Sequence, residues 1–316
     1  MSFDERLIVV AIGGNAVYPP DIKGTADEQL ALMDGACERL VRVYRAGYRL
    51  VITHGNGPVV GNILFRMART SRELAPMPMD VCVAHSQGGM GYMLQQTLAN
   101  VLARHGMTTP VTSIITQVEV DANDPAFANP TKPVGKFFSK QDAEQMAAET
   151  GWQFVEDAGR GWRRVVPSPL PRRILDTVAL AALLEGGVIP VTCGGGGIPV
   201  VKDAHGAYGG VHAVIDKDMT SALLAADIGA GVLVMLTGVE AVALDFGKPS
   251  QRQVSRMNAD EARRHLAEGQ FPPGSMGPKI TAALDYLARG GHEALITSLD
   301  RLDEALAGRA GTRITK

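Results

Sequence analysis

Six short runs in this chain are apolar on nearly every residue rather than on alternate ones: Leu7–Ile12, Leu50–Thr53, Val111–Thr116, Val188–Thr192, Val232–Leu236 and Ala294–Thr297. A strand of that kind must be buried on both faces, which in a soluble domain means a mainly parallel sheet covered by helices. The intervening stretches Thr25–Ala46, Gln87–His105, Arg172–Leu184 and Met276–Arg289 have amphipathic helical spacing. The expected architecture is therefore α/β, an open αβα sandwich with a mainly parallel central sheet. There is no internal repeat and no low-complexity segment.

With 316 residues, 46% of them hydrophobic, the chain can bury a large core. The formal net charge of −2, without a basic block, gives no support for nucleic-acid or acidic-membrane binding. Cys37, Cys82 and Cys193 lack CxxC spacing and lie among apolar residues, so they read as buried thiols of a reducing compartment. The longest uncharged stretch, Gly186–Val201, is broken by Pro190, Pro199 and six glycines and cannot span a bilayer. These features predict a soluble, cytoplasmic protein.

One region interrupts the alternation. From about Glu119 to Val166 the chain is polar and irregular, with one helix-like piece at Lys140–Thr150 and strand-like pieces near Gln153–Glu156 and Arg163–Val166. A structureless loop of that length would be unusual, which suggests a small lid inserted into the main sheet.

The first strand runs into Gly13-Gly14-Asn15, and the second into His54-Gly55-Asn56-Gly57-Pro58. Ligands of open α/β sheets bind beyond the carboxyl ends of strands, and glycine lets backbone N–H groups approach an anion closely. Either turn alone reads as an ordinary tight turn; the pair points to a binding site, and Gly194–Gly197 adds a third glycine cluster. Neither familiar nucleotide signature is present. The Gly-x-Gly-x-x-Gly spacing and the acid ending the second strand are missing, as is Gly-x-x-x-x-Gly-Lys-Ser/Thr.

Two lysines oppose local electrostatics. Lys217, in Val-Ile-Asp-Lys-Asp, and Lys279, in Gly-Ser-Met-Gly-Pro-Lys, each open a helix whose N-terminus is already partly positive. An anion sharing the site would make both favourable. Asp216 is placed to cap the first of these helices, and Asp218 to organise more than one lysine. Ser275 is a plausible cap for the second, with Met276 on its core face. His54, His85, His205 and His212 have no ligand spacing and read as satisfied or surface histidines.

Taken in order along nearly the whole chain, Ala-Ile-Gly-Gly-Asn-Ala (11–16), Thr-His-Gly-Asn-Gly-Pro (53–58), Gln-Gly-Gly-Met-Gly-Tyr-Met-Leu (87–94) and Asn-Pro-Thr-Lys-Pro-Val-Gly (129–135) resemble carbamate kinases. So do Arg-Arg-Val-Val-Pro-Ser-Pro (163–169), Gly-Gly-Gly-Gly-Ile-Pro-Val (194–200), Val-Ile-Asp-Lys-Asp (214–218), Phe-Gly-Lys-Pro (246–249) and Gly-Ser-Met-Gly-Pro-Lys (274–279). The resemblance implies the amino-acid kinase fold, a homodimer, and reversible phosphoryl transfer between ATP plus carbamate and ADP plus carbamoyl phosphate. It further implies use in making ATP during catabolism of arginine or related nitrogen compounds, with Mg2+ entering as the complex of ATP or ADP and no dedicated protein metal site.

By motif match, Lys132 would reach from the lid, Lys217 and Lys279 would hold the transferring phosphoryl group, and Asp218 would position the lysines. Gly13, Gly14, Asn15, Gly55, Asn56 and Gly57 would contact the substrate phosphate. Asp216, Thr237, Val239, Gly274, Ser275 and Met276 would border the nucleotide, with the segment Thr237–Pro249 along the adenine. The whole chain would be one domain, with residues 1–230 as the carbamate and phosphoryl half, the inserted lid at about 119–166, and residues 231–316 as the nucleotide half.

Val59, Lys136 and the pair His85-Ser86 depart from the family pattern, and Lys136 adds charge beside the lid motif. Kinases of the same fold that make acyl phosphates of amino acids typically carry a lysine before the first glycine turn, where this chain has Ala11-Ile12. A non-catalytic nucleotide sensor would not need Lys132, Lys217, Asp218 and Lys279 together.

Overall fold

The computed structural model describes residues 3–14, 18–19, 22–157, 159–272 and 274–316. Its centre is an eight-stranded sheet of β1 (Asp4–Ile12), β2 (Arg49–His54), β3 (Val111–Ser113), β9 (Ile189–Val191), β12 (Ala230–Thr237), β15 (Arg256–Asn258), β16 (Glu293–Ser298) and β17 (Thr312–Thr315). The spatial order is β15-β17-β16-β12-β1-β2-β9-β3, and every pairing is parallel except β16 with β17.

Alternation along β1 explains why its sequence is apolar throughout. Ile8, Val10 and Ile12 pack with Met33, Cys37 and Leu40 of α1 (Ala26–Arg45) and with Met90, Leu94 and Leu98 of α3 (Met79–Arg104). Leu7, Val9 and Ala11 face the other way, toward Ala222 and Leu223 of α6 (Lys217–Asp227) and Ile280, Ala283 and Tyr286 of α8 (Met276–Ala288). Each large aliphatic side chain so buried contributes about 1.5–3 kcal/mol, so both faces of the strand stabilise the sandwich. Helix α1 starts at a capping box between Thr25 and Glu28 and ends at Ala46, matching the sequence expectation.

The lid is a compact unit of β5 (Lys132–Phe138), α4 (Lys140–Thr150), β6 (Gln153–Glu156) and β7 (Trp162–Val166), with strand order β5-β7-β6. It rests on α2 (Gly57–Thr70) through a glycine pair: a Cβ on Gly61 would lie 1.9 Å from Gly135 Cα, and Gly135 itself has φ of +76°. No side chain fits at that crossing.

Two expectations need correction. Glu119 and Val120 belong not to the lid but to a second sheet, β11-β10-β4-β8, built from β4 (Gln117–Val120), β8 (Pro171–Ile174), β10 (Ile198–Lys202) and β11 (Tyr208–Gly210). Likewise Arg172–Leu184 is not one helix. Its start is β8, where Arg173 lies opposite Glu119 and its Nε donates to that carboxylate at 3.1 Å, and the helix, α5, covers only Thr177–Glu185. Cross-strand pairing overrode a helical periodicity there. The remaining elements are the hairpin β13 (Val242–Leu244) with β14 (Arg252–Val254), α7 (Ala259–Ala267) and α9 (Leu302–Leu306). No described helix is long and apolar enough to cross a membrane.

Candidate active site

Because β1, β2 and β12 run parallel, their carboxyl ends and the turns that follow lie along one edge of the sheet. The turns after β1 and β2 are in direct contact. Gly55 N donates to Ile12 O at 2.9 Å, and a Cβ on Gly55 would sit 2.8 Å from Gly14 N, too close for any side chain. Asn15 lies outside the described residues. Gly57 opens α2, whose first turn has no acidic residue and no side-chain cap, so its amide end is unneutralised.

Asn56 is buried at the cap position, but its amide Nδ2 donates to Ser86 Oγ at 2.7 Å. Ser86 was noted in the sequence only as a family departure; its hydroxyl is what orients Asn56. The third glycine cluster plays a supporting part. Gly194–Gly197 are all buried behind the turns, and a Cβ on Gly195 would lie 2.1 Å from Asn56 Nδ2. Gly196 O accepts from Thr220 Oγ1 at 2.8 Å. Their positive φ values (+67° to +93° over Gly195–Gly197) make a backbone turn that packs beneath Asn56.

Beneath the turns lies the charged centre. Asp216 caps α6, its Oδ1 accepting from the amides of Asp218 (2.8 Å) and Met219 (3.3 Å). That cap fixes the first turn, and from it Lys217 and Asp218 project inward. Asp218 accepts from Lys217 Nζ on Oδ1 and from Lys279 Nζ on Oδ2, both at 2.7 Å. Lys217 Nζ also lies 3.4 Å from Ala11 O, directly under the end of β1. Lys132 arrives from the lid and pairs with Asp216 Oδ2. Five chain segments, around residues 13–14, 55–57, 132, 216–218 and 279, thus converge on one point.

Two ammonium groups against one carboxylate leave one uncompensated positive charge, almost fully buried. Burial pushes Lys217 below the ordinary lysine range; Asp218 opposes that shift and the charge of Lys279 adds to it. Burial alone would raise the Asp218 carboxyl, yet Lys217 and Lys279 overcome it and hold it well below the usual carboxylate range. A net positive charge in so little water is unfavourable alone and would be offset by an anion beside it. His54 is buried and pushed down to about 4, chiefly by burial, so it is neutral and packs against Gly194.

Of the nucleotide candidates, Asp216 is the cap of α6 and the others lie at the end of β12 or the start of α8. Thr237 ends β12 and pairs in register with Ser298, and Val239 is 41% exposed. Gly274 and Ser275 are exposed ahead of α8, and Met276 is partly buried against the core. Ser275 occupies the cap position without a capping hydrogen bond, which corrects that expectation and leaves the first amides of α8 without a side-chain partner. Lys136 turns from the centre and lies over the rings of Phe65 (4.5 Å) and Phe138 (5.0 Å). Val59 packs on the α1/α3 side of the core, and His85 is exposed.

Both Asp218 oxygens are occupied by lysines, and Asp216 is divided between a helix cap and Lys132. Among the described residues no group of three His, Cys, Asp or Glu is arranged to hold a metal ion. A divalent cation here would be held through the phosphates it accompanies.

A parallel sheet with glycine turns over a buried lysine–aspartate–lysine centre defines a protein that handles transferable phosphoryl groups. Residues 6–298 match the amino acid kinase family. The chain is 47% identical to the carbamate kinase-like protein YahI of Escherichia coli over 99% of both chains, and 44% identical to the carbamate kinase of Thermococcus kodakarensis over 98% of this chain and 99% of that one. Its structure is similar to that of carbamate kinase from Giardia lamblia bound to citric acid, with a TM-score of 0.94 at 38% identity over 98% of each chain. The same enzyme bound to AMP-PNP gives a TM-score of 0.90 at 39% identity, again over 98% of each chain. The chain belongs to the amino acid kinase family, on its carbamate kinase branch.

Proposed function

We propose that this protein is a carbamate kinase, interconverting MgATP plus carbamate with MgADP plus carbamoyl phosphate. The observation that carries the reading is the net-positive Lys217–Asp218–Lys279 centre directly under two touching glycine turns. Phosphoryl transfer asks for alignment and charge compensation rather than covalent help from the protein. The carbamate oxygen is already anionic, so no general base is required; the difficulty is bringing one anion onto another. Lys217 and Lys279 offset that repulsion, and backbone amides at Gly13, Gly14, Gly55 and Gly57 would bind the phosphoryl oxygens. Asn56, oriented by Ser86, would complete this proposed substrate site, with Asn15 assigned to it by motif match alone.

Lys132 would exchange Asp216 for the carbamoyl phosphate when substrate enters, since its present partner is on the rim of the same centre. Asp216, Thr237, Val239, Gly274, Ser275 and Met276 would border the nucleotide, which puts the adenine over residues 231–316 and the carbamate over residues 1–230. Mg2+ would enter with the nucleotide. Purified protein given ADP, Mg2+ and carbamoyl phosphate should form ATP in a coupled assay. ATP formation no faster than the spontaneous background would overturn the reading.

We also read the protein as a homodimer built at the β3 edge. That strand ends the central sheet with its outer hydrogen-bonding groups unpaired by any described strand, and exposed apolar side chains lie on segments beside it: Tyr92 on α3 and Ile115 just after β3. Light scattering should give twice the 33.5 kDa chain mass. The double change Tyr92→Asp, Ile115→Asp should shift it to the monomer; a dimer that survives would rule this edge out.

A further inference from the structure

A second cationic centre lies where the lid meets the body, on the β5–β7 pair, where Arg164 is in register with Val134 and Lys132 with Val166. The two neighbouring arginines of β7 differ in how they are satisfied. Arg163 pairs with Asp157, at 3.4 Å. Arg164 is only 5% exposed and ion-pairs with none of the described carboxylates. Its Nη1 has no hydrogen-bond partner, and its Nη2 reaches only His212 Nε2, at 3.5 Å. The guanidinium lies over the Trp152 ring, with Cζ 3.6 Å from its centroid.

A buried cation with no counterion is strongly disfavoured unless something completes it. Arg164 lines a cavity of about 460 Å³ between the lid and α2, large enough for a small ligand. Met67, Met77, Met79 and Met146 make its wall adaptable and apolar. Arg69 and Arg72 also line it, and one acid, Glu149, accepts from Gln145 at 2.8 Å. Burial pushes Arg164 down to about 10, so it stays charged at neutral pH. Burial and then the charge of Arg164 push His212 down as well, which leaves the imidazole neutral and suited to accept from the guanidinium.

We infer that this cavity is a binding site for a small organic anion with a flat apolar body, its carboxylate on Arg164 and its apolar part among the methionines. The site is distinct from the lysine centre in residues and in ligand chemistry. It is nonetheless mechanically close, because Val166, two residues along β7 from Arg164, is the register partner of Lys132. An occupant would wedge between α2 and the strand pair that carries the lid lysine.

Benzoate is a suitable probe, with benzyl alcohol as the uncharged control and inorganic phosphate as the anion without an apolar body. The chain has two tryptophans, so in a Trp162→Phe protein the fluorescence of Trp152 reports on the cavity alone. Benzoate should produce a saturable change below about 10 mM that benzyl alcohol and phosphate do not reproduce, since only benzoate offers both charge and apolar area. Adding Arg164→Met should weaken benzoate at least about tenfold, the scale of one charge-assisted hydrogen bond. Should that variant fold poorly, Ala68→Phe, which fills the cavity from α2, should abolish the change by itself. No saturable response to benzoate overturns the inference. So does equal affinity for benzyl alcohol, or unaltered benzoate affinity in either variant.

Discussion

Lys217→Ala is expected to lower kcat by about 10²–10³, the usual scale for removing one group that stabilises transition-state charge. The loss should fall mainly on kcat rather than KM, because the phosphoryl oxygens draw closest to the ammonium as the old bond breaks. Turnover within about threefold of wild type would remove Lys217 from the transferring group. An alkaline limb accompanies this prediction. The useful form of Lys217 is the ammonium, and burial pushes its titration below the ordinary lysine range, with Asp218 opposing and Lys279 adding. The free-enzyme profile of kcat/KM should therefore fall at a lower pH than a solvated lysine would give. In Lys217→Arg that limb should move upward, since a guanidinium stays protonated. A limb that does not move belongs to another group.

Asp218→Asn should be the most damaging isosteric change in the protein. It removes the one carboxylate between two buried ammonium groups that approach it at 2.7 Å each, and the new amide can accept through only one of its atoms. Breaking a buried ion pair from one side costs about 3–5 kcal/mol, readable as a lower urea midpoint at unchanged slope. Part of that stability should return in Asp218→Asn, Lys279→Met, because one stranded charge is gone. A single variant as stable as wild type would mean that the lysines, not the aspartate, hold the centre together. The pH dependence has a definite sign. The folded Asp218 carboxyl is held below the unfolded one, so its contribution is full above about pH 4 and is lost as pH falls into stronger acid.

The local code was sufficient for much of the fold. Both-face burial of β1, β2 and β12 was legible because their residues are apolar without alternation, and the amphipathic spacing over Thr25–Ala46 marked α1. The second sheet was not legible, since its strands are three to five residues long and Arg172-Arg173 pairs with Asp121 and Glu119 from about fifty residues away. Ser86 and Gln87 were equally hidden. Gln87 is buried and ties Thr116 to Gly194, contacts that no spacing along α3 encodes.

By itself, then, the sequence determined the parallel α/β sandwich, the glycine turns at two strand ends, and two lysines set against the dipoles of their own helices. Those follow from periodicity, backbone freedom and helix electrostatics, all of which act within a few residues. Only the tertiary structure decided that one carboxylate, Asp218, lies between Lys217 and Lys279, that Lys132 of the lid pairs with the cap of the same helix, and that Gly194–Gly197 pack behind Asn56. The reason is range. Residues 61 and 84 positions apart meet there, and the net charge they enclose exists only once the sheet has brought their helices and the lid to one edge.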